Sequence, residues 1–249
     1  MKFLKRVALG LALLIGILAL LIFINPQINP SHTEPYFNLV AERQGGAPAE
    51  EAVRQRIILY GDAGHSTVDP WQPSMRKAAA RASISPEKTA IVALGDNIYM
   101  KGYPQKEPGQ ETWDEDQLES ISYLDAQLKL AQVSGASLYL VPGNHDWYAT
   151  ELGSQARHIA EYAAEHGVTT EFHPHHEGKP PLPTGVDLDG ASLMFLDTEW
   201  LLHADEPERS AALEQITQLV ETTRARYPDN LVILNAHHPM ETMGCLLYT

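Results

Sequence analysis

The sequence predicts a layered α/β domain, and three observations predict it. Short apolar runs recur along the chain and alternate with longer segments of helical periodicity. The runs stop at glycine, proline or a polar side chain, as strands do when they feed loops. Four of these strands end in a cluster of Asp, Asn or His. In open α/β sheets, ligands bind beyond the carboxyl ends of the strands.

Taken in order, residues 1–6 carry Lys2, Lys5 and Arg6 and no acid. Val7 to Ile24 is an apolar run of 18 residues, about 27 Å as a helix and close to a bilayer's hydrocarbon thickness. Basic residues before the run favour a cytoplasmic amino terminus. The exit Phe23-Ile24-Asn25-Pro26-Gln27-Ile28 lacks an Ala-x-Ala cleavage pattern, which favours a transmembrane signal anchor over a cleaved signal peptide. The expectation is a membrane-anchored protein with its body on the extracytoplasmic side, periplasmic or at the cell surface. Residues 25–54 read as a tether, with Pro26, Pro30, Pro35, Pro48 and Gly45-Gly46. The folded domain then spans 55–249.

Within it, Arg56 to Tyr60 reads as a strand ending at Gly61-Asp62. Pro73 to Ser83 reads as a helix begun by proline. Thr89 to Leu94 is a buried strand, again stopping at Gly-Asp. Trp113 to about Val133 places Leu118, Ile121, Leu124, Leu128 and Ala131 on one helical face. Trp113 leads into Asp114, Glu115 and Asp116, acids suited to a first helical turn. Ser137 to Val141 is a third strand, and 154–166 is helical. Val186 to Leu188 and Ser192 to Leu196 form a hairpin about Asp189-Gly190. Glu208 to Tyr227 is a long helix with Leu213, Ile216, Val220 and Thr223 on one side, and Leu231 to Leu234 is a last strand.

Composition excludes several functions. The formal net charge is −14, which argues against nucleic-acid binding, since that needs a basic footprint. One cysteine, Cys245, excludes a disulfide within the chain and a multi-thiolate zinc site. Eleven histidines leave imidazole and carboxylate ligation open.

The four donor loops are Gly61-Asp62-Ala63-Gly64, Gly95-Asp96-Asn97-Ile98-Tyr99, Gly143-Asn144-His145-Asp146 and Ala236-His237-His238-Pro239. A lone Gly-Asp is usually a turn. An Asn-His-Asp can be an Asx turn, and a His-His-Pro a surface loop. Four such loops in order, each after a strand, point instead to convergence on one place. A mixed nitrogen and oxygen donor set suits iron, manganese or zinc better than calcium. A carboxylate can bridge two cations, and such a pair is a clamp for displacement at phosphorus.

With these motifs, the stretch from Arg56 to Met243 resembles the calcineurin-like metallophosphoesterase superfamily, and within it the purple acid phosphatase type. Most of the superfamily has Asp-x-His in its first loop, whereas this chain has Asp62-Ala63-Gly64. Purple acid phosphatases share that loss and supply a tyrosine three residues after the second-loop aspartate, where Tyr99 stands after Asp96. The segment Asp197 to His203 also looks like that of large bacterial secreted or anchored relatives. The resemblance implies an α-β-β-α sandwich with mixed sheets and a pair of metal ions, ferric iron plus divalent iron, zinc or manganese. Asp62 and Tyr99 would hold the first metal, Asp96 would bridge, and Asn144 and His237 would hold the second. His145 would meet the substrate as general acid or as a hydrogen-bond donor to the phosphoryl oxygens, and Asp146 would orient it. The implied reaction is hydrolysis of a small phosphate monoester by in-line attack of a bridging hydroxide.

One departure stands out. The family's Gly-His-x-His loop does not occur between His238 and Thr249, the last residue of the sequence, so the expectation is a chain lacking the carboxyl-terminal part of the domain. That permits a rival reading: a catalytically dead metal- or phosphate-binding or interaction protein of the same fold. Among the other histidines, His65 lies near the first loop. His173, His175 and His176 read as a solvated Pro- and Gly-rich loop, and His158 and His166 as helix-surface residues. His203 belongs to the family-like segment without a defined role. His237 rather than His238 is the ligand by resemblance, since it stands two residues before Pro239.

Overall fold

The computed structural model describes residues 49–149, 152–174 and 181–239. The chain divides into two units, Met1–Glu50 and Glu51–Thr249, and the strands and α-helices below belong to the second. The expected anchor, most of the tether, His175, His176 and Cys245 lie outside the described residues. Among the described residues, no helix is long and apolar enough to cross a membrane.

Strands β1 (Arg56–Tyr60), β2 (Thr89–Leu94), β3 (Ser137–Val141) and β4 (Thr170–Phe172) form a four-stranded sheet in that order. All its pairings are parallel. Parallel neighbours need crossovers, and these contain α1 (Pro73–Ala82), α2 (Glu115–Ser134) and α3 (Gly153–His166). A second sheet holds β5 (Thr184–Leu188), β6 (Ala191–Phe195) and β7 (Leu231–Asn235). Its first pair is the antiparallel hairpin expected about Asp189-Gly190, and β6 and β7 are parallel. Between them run α4 (Thr198–His203) and α5 (Glu206–Arg226).

Strand alternation sorts the core into two layers. Ile91 and Ala93 of β2, with Leu138 and Leu140 of β3, pack with Met75, Leu124, Leu128 and Ile159 of the helices. Their neighbours Ala90, Val92, Tyr139 and Val141 pack with Leu193 and Phe195 of the second sheet. The result is helices over a parallel sheet over a second, mixed sheet.

Local chemistry sets the boundaries of α2. Asp114 and Gln117 form a reciprocal capping box, so the helix begins at Glu115 rather than at Trp113. Gly135 closes it with φ of 74°. Two expected faces need correction. Leu118 is 53% exposed; at about 100° per residue it falls roughly 100° away from the centre of the Ile121, Leu124, Leu128 and Ala131 face. Leu213 is 52% exposed, while Ala212 and Thr223 are the buried residues of α5. Strand β4 and helix α4 add to the elements that the sequence predicts, being too short for a period to register.

Candidate metal centre

Three loops leave the carboxyl ends of β1, β2 and β3, and a fourth leaves β7. Two of them turn on aspartates in the left-handed region, Asp62 at φ 56° and Asp96 at φ 53°. Non-glycine residues there carry local strain, and such strain gathers at functional sites. Glycines allow the loops to cross. Gly95 has φ of 92°, and a Cβ on it would sit 2.7 Å from His237 Nδ1 and 2.8 Å from the Gly143 nitrogen. A Cβ on Gly143 would overlap the backbone nitrogen and Oδ1 of Asp96.

The five residues proposed from sequence as metal ligands meet. One ligand atom each from Asp62, Asp96 and His237 lie within 4.8 Å of one another. Tyr99 OH donates to Asp62 Oδ1 at 3.0 Å. Asn144 Oδ1 lies 3.1 Å from His237 Nε2, and Asp96 Oδ1 lies 3.5 Å from it. The other nitrogen, His237 Nδ1, is 2.8 Å from the Leu94 carbonyl oxygen. A carbonyl only accepts, so Nδ1 carries a proton. With Nδ1 committed to that carbonyl, Nε2 is the nitrogen left to meet a cation, and it faces the oxygens of Asn144 and Asp96. Donation of the second imidazole nitrogen to a backbone carbonyl is also how metal-ligating histidines are held. The donor set therefore fits a metal. Without one, burial and the charges of Asp96 and Asp62 push the Tyr99 phenol far above its ordinary range, so the phenol keeps its proton and shares it with Asp62.

His145 and Asp146 are placed differently from each other. The His145 backbone N–H donates to Asp96 Oδ1 at 3.0 Å, and its ring Nδ1 lies 2.9 Å from the Met100 carbonyl oxygen. The Asp146 carboxylate turns away from that ring. It is fully buried and accepts from the backbone of Gly143 and Asn97 and from the side chains of Asn97 and Gln155. The contact to the His145 ring comes from the Met100 carbonyl, while Asp146 holds the backbone of the loop that carries His145. Burial raises the Asp146 carboxyl to about 6 against the pull of those donors.

Several residues escaped the sequence reading. Buried Asn97 donates to the Val141 carbonyl and to Asp146, tying the second and third loops together. Gln127 of α2 donates to the Asn97 carbonyl at 2.7 Å. Asp197 accepts from Trp147 Nε1 at 3.0 Å and from the Trp200 N–H at 2.9 Å. Thr198 Oγ1 accepts from the His238 N–H, which fixes the loop delivering His237. Asn97 follows a candidate ligand directly, and that adjacency was its one signal. Asp197 and Thr198 stand in the family-like segment Asp197 to His203, which marked them without assigning a role, and Gln127 acts across a long separation and left no signal.

The remaining histidines divide. His173 is a core residue, which corrects the solvated-loop expectation: it is 2% exposed, stacks on Phe195 and meets Thr184 and Glu171. His158 is not a free surface residue either, since it joins Tyr103 to Asp125. His166 stacks on Tyr162. His203 pairs with Glu199 with its side chain 75% exposed. His65 is exposed, with its ring 5.2 Å from that of Tyr99.

Donors gathered beyond the strands of a two-sheet α/β sandwich, with one imidazole held by a backbone carbonyl so that its Nε2 faces the other donors, are the framework of a metal-dependent hydrolase. The chain belongs to the calcineurin-like phosphoesterase family, whose profile matches residues 56–248. No curated protein matches the chain. Members of that family hydrolyse phosphoesters and bind a pair of metal ions, and the cluster of Asp62, Asp96 and His237 stands where one of the pair can be held.

Proposed function

We propose that this protein is a phosphate monoesterase of the purple acid phosphatase type, held at the membrane by residues 7–24 with its catalytic domain extracytoplasmic. The convergence of Asp62, Asp96 and His237 carries the reading. The pairing of Asp62-Ala63-Gly64 with Tyr99 supports the subtype and a ferric ion beside the phenol. The basic residues before the apolar run support the anchor and its orientation.

In this reading Asp62 and Tyr99 would hold one metal, Asp96 would be shared between the two, and Asn144 and His237 would hold a divalent iron, zinc or manganese ion. The bound ions supply Lewis acidity toward the phosphoryl group. In the reaction the ester P–O bond breaks, a water oxygen joins phosphorus, and a proton leaves with the alcohol. In this reading His145 gives that proton. The Met100 carbonyl holds a proton on Nδ1, which leaves Nε2 as the nitrogen that takes up and releases one. The Asp96 carboxylate accepts from the His145 backbone N–H, which ties the position of residue 145 to that of the proposed shared ligand. Asp146 positions the loop from beneath.

The test is metal analysis and turnover of a monoester panel on the full chain. Two metals per chain, turnover, and a visible tyrosinate-to-iron band lost in Tyr99→Phe are expected. A protein that binds no metal, or unchanged turnover in the double variant Asp96→Ala, Asn144→Ala, sinks the assignment.

A further inference from the structure

We propose that the rim of this centre is an aromatic platform that selects monoesters whose leaving group carries a flat ring, aryl or nucleobase, with Tyr148 as the stacking face. The inference rests on the phosphoesterase reading and names its substrate class.

Five rings follow one another along the site. Tyr123 and His65 have centroids 5.3 Å apart, His65 and Tyr99 5.2 Å, Tyr99 and His145 4.6 Å, and His145 and Tyr148 4.8 Å. Two of them belong to the candidate machinery, so the series runs through the centre rather than beside it. The end next to His145 is open. Tyr148 is 57% exposed, and Met100, whose carbonyl holds the His145 ring, is 62% exposed.

The turn Asp146–Tyr148 explains why an aromatic ring is held outward there. Asp146 is anchored by four N–H groups within the core, and Trp147 is drawn to the Asp197 carboxylate. The next side chain, Tyr148, therefore stands at the surface against the ring that protonates the leaving group. An exposed tyrosine offers a rigid face with few rotatable bonds, and thioethers adapt to aromatic partners. With a formal charge of −14, the protein gains little by recognising an anionic leaving group through charge. A neutral π face avoids that repulsion.

Matched substrates test this without confounding leaving-group acidity. With metals bound to the full chain, kcat/KM is compared for 2-phenylethyl against 2-cyclohexylethyl phosphate, and for AMP against ribose 5-phosphate. The flat member of at least one pair is expected to lead by about tenfold, as base stacking on an aromatic side chain permits. A lead in the first pair identifies an aryl group and in the second a nucleobase. Tyr148→Ala should bring that ratio close to one, and Tyr148→Phe should preserve it. Independently of turnover, Tyr148→Trp should show indole quenching by adenosine or 2-phenylethanol beyond that of the unmodified protein. Turnover with no preference in either pair, or a preference that survives Tyr148→Ala, overturns the platform and leaves the hydrolase reading standing. No turnover of any of the four with metals bound overturns both.

Discussion

The two sheets contribute unequally to the site. The parallel sheet supplies Asp62, Asp96, Tyr99 and Asn144, and its central strands β2 and β3 are buried on both faces. The second sheet supplies His237 from beyond β7, an edge strand among the described residues, in which Leu231 is 66% and Leu234 46% exposed. Four donors thus stand beyond a well-buried sheet and the fifth beyond a thinly covered strand. The edge is compensated locally: the Leu94 carbonyl holds the His237 ring, and Thr198 holds the loop at His238. A donor far away in sequence can be placed accurately by two short contacts even where its own strand contributes little burial.

The largest expected effect breaks the well-buried side at its shared point. Asp96→Asn keeps the size of the side chain but removes its charge, and turnover should fall below detection while circular dichroism stays native. Retention of activity would show that the convergence is not the metal centre. The stability counterpart is Leu138→Ala, at a position with no exposure in the parallel sheet. A loss of about 2–5 kcal/mol is expected for such a deletion, read as a lower urea midpoint.

The same division governs what could be read from the sequence. Strands β1, β2 and β3 of the parallel sheet and their donor loops were legible because each is a local pattern, an apolar run, a glycine, then a donor, whereas the three-residue β4 was not. The pairing of Asp62 with Tyr99 was legible through its spacing and the resemblance it carried. The Trp147–Asp197 contact was not, since it joins residues 50 positions apart with no period connecting them. His173 misled for a related reason. Its Pro- and Gly-rich neighbourhood reads as loop, and only the fold brings Phe195 and Thr184 to it. Leu118 and Leu213 failed because steps of three and four residues tolerate a wide angular error at a helix margin.

Asp197 offers a pH test of the contact between the two halves. Burial pushes its carboxyl up to about 7, against hydrogen bonds from Trp200 and Trp147. A raised acid holds a proton in the folded state that the unfolded chain releases from about 4 upward. Stability from this group is therefore greatest below about pH 4, declines as pH rises toward about 7, and is flat above. The decline should amount to about 2–4 kcal/mol, since each pH unit between those two values costs at most about 1.36 kcal/mol. Asp197→Asn should flatten the slope of urea midpoint against pH between 5 and 8, whatever it does to the midpoint itself. A slope equal to that of the unmodified protein would place the titration elsewhere, with Asp146 the other raised carboxyl in this region.

The smallest effect tests the thin side directly. Leu231 pairs with Ala191 in the register of β6 and β7, yet most of its side chain faces outward. Leu231→Ala should change stability by under about 0.5 kcal/mol, as surface substitutions usually do, against the several kcal/mol expected at Leu138. Because the His237 contacts to Leu94 and Asn144 do not involve that side chain, metal affinity should also be unchanged. A loss of metal from Leu231→Ala with the midpoint intact would mean that strand β7, rather than the two short contacts beyond it, sets the position of the fifth donor. The comparison between the sheets would then reverse.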